Sequence, residues 1–254
     1  HRLNPDLTRD KRGLWIDTPT PLIKDLDTVD LKSYDIGQVK PGSKTHQTFP
    51  RQYPSNGESI LLLSDLAEWW KNLKPGRPII NIELKSHPEC PDHTPPVKDY
   101  VGIVIDEIKR LDLMEHVWIQ AFDWSLLIET KRQCKSIPTG FLSAEHDDDP
   151  TVWEETPSPW LAGFDPFCHN GIVADAVVAA GGDYWGPWYG DLCQQSVAHA
   201  RNLGLGVHPW TLNESADIKK MLEWGVTGIT TDYPDLVREI FHANRIPVPD
   251  TLDC

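Results

Sequence analysis

The chain has 254 residues, 39% of them hydrophobic, enough apolar material for one large α/β domain or two small ones. Its 38 acidic and 24 basic residues give a formal net charge of -14, which repels nucleic-acid backbones and anionic membrane surfaces, so nucleic acid is not an expected partner. Phosphate chemistry stays open, because a divalent cation held by carboxylates reverses the local field.

Residues 1–75 are rich in turn-forming Pro, Gly and Asp and contain one periodic stretch, a helix expected over 63–73 (LSDLAEWWKNL). They read as an irregular, insertion-like segment of a single 1–254 domain. From there a short apolar run alternates with a helical segment. The expected strands are 78–84 (PIINIEL), 117–122 (VWIQAF), 139–143 (TGFLS), 183–185, 206–210 (GVHPW) and 228–231 (GITT). The expected helices are 96–111, 125–133, 191–203, 214–224 and 235–244. Ile218, Met221 and Leu222 share one helical face, and Asp235 after Pro234 suits a first turn. The acidic loop 145–149 reads as a solvated turn.

Strand and helix in alternation mean a parallel sheet, and the common architecture is a (β/α)8 barrel of TIM type. Six strands are visible, so about two are expected to precede His1. No apolar run approaches the ~20 residues that cross a bilayer, and the opening residues do not resemble a signal peptide. Cys90, Cys134, Cys168, Cys193 and Cys254 show no metal or redox spacing and read mostly as packing residues.

In a parallel barrel the residues to inspect close the strands. Glu83 and Lys85 stand two apart, hence on one face of an extended segment. They are candidates for a metal carboxylate and a phosphate contact, or for a plain ion pair. Gln120, Phe122, Asp123 and Trp124 close the next run, with Asp123 also placed to cap the following helix. Trp185, Trp188, Trp210 and Asn213 close two more, the tryptophans either walling a pocket or filling the core. His208, inside a strand run, reads as a core histidine. Nucleophile-elbow, P-loop, HExxH and GxGxxG motifs are absent.

The segments Asn81-Ile-Glu-Leu-Lys85, Ile119-Gln-Ala-Phe-Asp-Trp124, Val207-His-Pro-Trp-Thr-Leu-Asn213 and Gly225-Val-Thr-Gly-Ile-Thr-Thr-Asp-Tyr-Pro-Asp235, in this order and spacing, resemble the glycerophosphodiester phosphodiesterase family. The resemblance implies a phospholipase C-like barrel that hydrolyses small glycerophosphodiesters to an alcohol and glycerol 3-phosphate with Ca2+ or Mg2+. It implies Glu83 as a metal carboxylate, Lys85 as the catalytic lysine at the phosphate, and Trp210 and Asn213 as the family's Trp-Thr-x-Asn element. Gln120 and Trp185 complete the expected substrate-facing set. The family's His-Arg, Glu-x-Asp and His-Asp elements are not found, so the resemblance places two catalytic histidines and two metal carboxylates upstream of His1 and implies little turnover by these 254 residues alone. The alternatives are a phospholipase C- or D-like enzyme acting on intact phospholipids and a non-catalytic binding barrel.

Overall fold

Asp35 organises the first part of the chain. Its carboxylate accepts hydrogen bonds from the amides of Gly57 and Gly37 at 2.9 Å and from Arg9 Nη2 at 2.5 Å, which together hold it below the usual carboxylate range. Around it run α1 (Thr28–Ser33), α2 (Lys44–Thr48) and α3 (Leu63–Asn72), the first two capped by Asp27 and Ser43. Only α3 was legible in the sequence; helices of five or six residues with little apolar content leave no period to read. His1–Asn72 and Cys90–Pro96 form one compact unit, and Leu73–Glu89 with the chain from Val97 onward forms the second. The computed structural model describes residues 1–73, 78–154 and 156–248.

The second unit holds the sheet. Strands β1 (Ile80–Glu83), β2 (Val117–Ala121), β3 (Thr139–Ser143), β4 (Tyr184–Pro187) and β5 (Gly206–Val207) lie in chain order and pair in parallel throughout. In β2, buried Val117, Ile119 and Ala121 alternate with half-buried Trp118 and Gln120, the period-two signature of a strand whose two faces meet different surroundings. Helices α4 (Val97–Arg110), α5 (Trp124–Gln133), α6 (Val173–Ala179) and α7 (Gln194–Asn202) make the crossovers, and α8 (Ser215–Trp224) and α9 (Pro234–Ala243) follow β5. Helix α4 buries Val101, Ile105 and Ile108 at i, i+4 and i+7, each apolar side chain contributing about 1.5–3 kcal/mol. Helix α8 stops at Gly225, whose φ of +84° closes the helix in the left-handed region.

The expected sixth strand is a correction. Thr230 N–H donates to Pro209 O at 3.0 Å and Thr230 O accepts from Leu212 N–H at 2.9 Å, so two residues stand between the bonded partners where a parallel ladder has one. The segment therefore lies alongside β5 without forming a regular strand. Helix α6, built on Val and Ala, was not foreseen. The cysteines also differ from expectation: among the described residues all are free thiols, Cys168 and Cys193 exposed and Cys90 and Cys134 half-buried, while Cys254 lies outside the described residues.

Candidate active site

The site is built at the carboxyl ends of β1 and β2. Lys85 Nζ lies 2.6 Å from Glu83 Oε1, with Glu83 26% exposed and Lys85 reaching outward at 66%. An ion pair this open stabilises the fold by at most about 1 kcal/mol. Gln120 is the register partner of Glu83 on β2. Its Oε1 accepts a hydrogen bond from Asn81 Nδ2 at 2.8 Å, and Asn81 Oδ1 accepts one from the Tyr184 hydroxyl at 3.2 Å. Tyr184 starts on β4 and crosses over β3 to reach Asn81, which is possible because residue 140 is glycine: a Cβ there would sit 1.9 Å from the tyrosine ring. His208 stacks on Trp118 and Tyr184, whose rings are tilted against each other, with centroid separations of 4.8–5.5 Å. Burial pushes the His208 imidazole below its ordinary 6.5, so it is neutral at neutral pH.

The other candidates make their own contacts. Trp185 is 2% exposed, and its indole N–H donates to Ser143 Oγ at 2.8 Å, which places it in the core. Trp210 is half-buried; it donates to Gly186 O at 2.8 Å and meets Phe122 edge-to-face at 5.2 Å. Asn213 ties the loop after β5 to the following turn, donating to Asp232 Oδ2 at 2.8 Å and accepting from Asp232 N–H and the Thr231 hydroxyl. Asp123 caps α5 through Ser125 N–H and also accepts from Ser86. Glu83, Lys85 and Gln120 are thus brought together. Asn81 and Tyr184 escaped the sequence reading, although Asn81 stands two residues before Glu83 and shares its face.

The loop at 145–149 is more than a solvated turn. Asp191, whose side chain is 1% exposed, accepts from the backbone N–H of Glu145 at 2.8 Å and of His146 at 3.1 Å, and sits 3.0 Å from His146 Nδ1. The bond to Asp191 raises the His146 pKa above 6.5; burial, then Asp191, raises that of Glu145 above 4.5. Both groups hold protons more tightly folded than unfolded, so both contributions are complete at low pH and are lost as pH rises, that of His146 from 6.5 upward. Hydrogen exchange at the Glu145 and His146 amides, corrected for intrinsic rate, is expected to show increasing opening above pH 6.5; a profile unchanged by His146→Gln would refute a role for the His146–Asp191 contact in holding this loop.

Ca2+ takes six to eight oxygen ligands, and Mg2+ takes six, of which one or two are usually carboxylates and several are waters. Among the described residues no group of three or more His, Cys, Asp or Glu side chains is placed to hold a metal ion. Glu83 brings one carboxylate, so these residues do not make a metal centre by themselves.

The sequence model of the glycerophosphoryl diester phosphodiesterase family matches residues 6–236. Over 55 residues the chain is 47% identical to the glycerophosphodiester phosphodiesterase of Bacillus subtilis (strain 168), a stretch amounting to 22% of this chain and 19% of that relative. Over 217 residues it is 24% identical to the glycerophosphodiester phosphodiesterase of Caldanaerobacter subterraneus subsp. tengcongensis, covering 84% of this chain and 70% of the relative. Among solved structures, a Silicibacter pomeroyi protein provisionally assigned as a glycerophosphoryl diester phosphodiesterase superimposes with a TM-score of 0.81 at 27% identity, over 96% of this chain and 77% of that one. An Oleispira antarctica phosphodiesterase in complex with its product sn-glycerol-3-phosphate shares the fold at a TM-score of 0.59 and 16% identity, over 88% of this chain and 73% of that one.

Proposed function

The chain belongs to the glycerophosphoryl diester phosphodiesterase family, its parallel sheet being the core of a phospholipase C-like α/β barrel, and from that premise we propose that the protein hydrolyses small glycerophosphodiesters to an alcohol and glycerol 3-phosphate at the carboxyl ends of β1 and β2. The observation that carries this reading is the Lys85–Glu83 pair standing beside Gln120. Attack on a phosphodiester concentrates negative charge on the non-bridging oxygens, and a preplaced ammonium lowers the barrier by meeting that charge where it develops. Lys85 is suited to this because Glu83 fixes its position while most of the side chain stays accessible. Gln120 adds a neutral donor on the adjacent strand.

The product named for the Oleispira antarctica relative, sn-glycerol-3-phosphate, supports the choice of assay. The full-length protein is expected to release glycerol 3-phosphate from glycerophosphocholine with Ca2+ or Mg2+, and Glu83→Ala to abolish the release. Loss of activity in EDTA, restored by one of the two ions, together with weakened binding of that ion by Glu83→Ala, would assign Glu83 to a metal centre. Cleavage of intact phospholipids without release from glycerophosphocholine would overturn the small-substrate reading, and no turnover of any diester would replace the enzyme with a binding protein.

A further inference from the structure

Three polar side chains on three strands form a directed chain of hydrogen bonds that ends beside the proposed site. The Tyr184 hydroxyl donates to Asn81 Oδ1, and Asn81 Nδ2 donates to Gln120 Oε1. An amide has its acceptor and its donors at opposite ends, so engaging Gln120 Oε1 fixes which end of Gln120 is left over. That end is the N–H2, which makes no hydrogen bond among the described residues. Building on the proposed diesterase reading, we propose that Tyr184 and Asn81 are positioning residues that lock Gln120 with its amide N–H2 presented to an anionic phosphate oxygen of substrate or product.

One feature favours this orientation over the reverse, and two more hold the chain of bonds in place. Glu83 is the register partner of Gln120, and a carboxylate neighbour favours the amide nitrogen over the oxygen at that end. Burial, and then the charge of Asp183, raise the Tyr184 phenol above its ordinary 10, so its hydroxyl keeps the proton that it donates to Asn81 Oδ1. The reach of Tyr184 across β3 depends on the missing side chain of Gly140, and the ring is steadied by stacking on His208 and a tilted contact with Trp118. Chained hydrogen bonds polarise one another, so the terminal N–H2 is a stronger donor than an isolated amide.

The test is binding of glycerol 3-phosphate to the full-length protein, read by titration and by the Gln120 side-chain N–H2 resonances, together with kcat and KM on glycerophosphocholine. In the wild type, ligand is expected to shift those resonances downfield. Tyr184→Phe keeps the ring and removes only the donor; it is expected to weaken ligand binding and raise KM by about five-fold, one net hydrogen bond, with kcat less affected. The same substitution in a Gln120→Ala background is expected to have no further effect, which a merely structural tyrosine would not obey. Asn81→Asp, an acceptor at both oxygens, is expected to turn the Gln120 amide around and weaken binding at least as much. Ligand bound without movement of the Gln120 N–H2, or additive losses in the double variant, would overturn the relay while leaving the diesterase reading intact. Failure of the wild type to bind glycerol 3-phosphate or to turn over any diester would overturn both.

Discussion

Lys85→Met is expected to lower kcat/KM for glycerophosphocholine by about 10²- to 10³-fold, the loss seen when a preplaced electrostatic contact to a developing oxyanion is removed. The fold should hardly register the change. Lys85 is 66% exposed and its ion pair with Glu83 is open to solvent, so the pair is worth at most about 1 kcal/mol of stability after screening. Activity and stability are therefore expected to separate: a large kinetic loss with a thermal midpoint within a few degrees of wild type. Lys85→Arg should recover part of the activity, since it restores the charge with a different shape. Kinetics and a thermal melt on the same three proteins decide the matter; a Lys85→Met enzyme within three-fold of wild type would remove Lys85 from the phosphate and leave it the plain ion pair that the sequence alone allowed.

The sequence read well where a period or a motif was local. The i, i+2 spacing of Glu83 and Lys85 put them on one face, and the structure pairs them. The apolar run expected as a strand over 117–122 and the cap at Asp123 were both legible, and the structure has a strand at Val117–Ala121. What failed depended on contacts between distant strands. No local pattern shows that Gly140 clears a path for Tyr184 to reach Asn81, 103 positions away. Nor does a run of acids reveal that its loop is held by Asp191, 45 positions from His146. The Trp-rich run from 184 drew attention to indoles as pocket walls. The tyrosine at its start makes the polar contact, whereas Trp185 is buried and satisfied by Ser143. The run at 228–231 has the composition of a strand, but the extra residue between its bonding partners near Pro209 and Leu212 keeps it out of the regular ladder.

Trp124 shows how a residue at the edge of the site can belong wholly to the core. It directly follows the capping Asp123 at the end of β2, where a site residue was expected, yet it is 0% exposed. Its ring meets Phe141 edge-to-face at 5.0 Å, and its indole N–H donates to Leu142 O at 2.9 Å, tying the start of α5 to β3. Trp124→Ala is expected to cost about 3–5 kcal/mol, from lost burial plus the cavity left behind. At about 2–4 °C per kcal/mol for a chain of this size, that is a fall of roughly 6–20 °C in Tm. Trp124→Phe keeps most of the packing and loses the donor, so about 1–3 kcal/mol is expected. Urea and thermal unfolding of the two variants separate the terms, and equal losses would mean that the hydrogen bond, not the ring, holds α5 to the sheet. Because Trp124 faces away from Glu83 and Lys85 into the helix layer, the fraction of Trp124→Phe that remains folded is expected to keep the wild-type KM. A raised KM in a fully folded variant would show that the end of β2 transmits its packing to Gln120, and would bring the core into the account of the site.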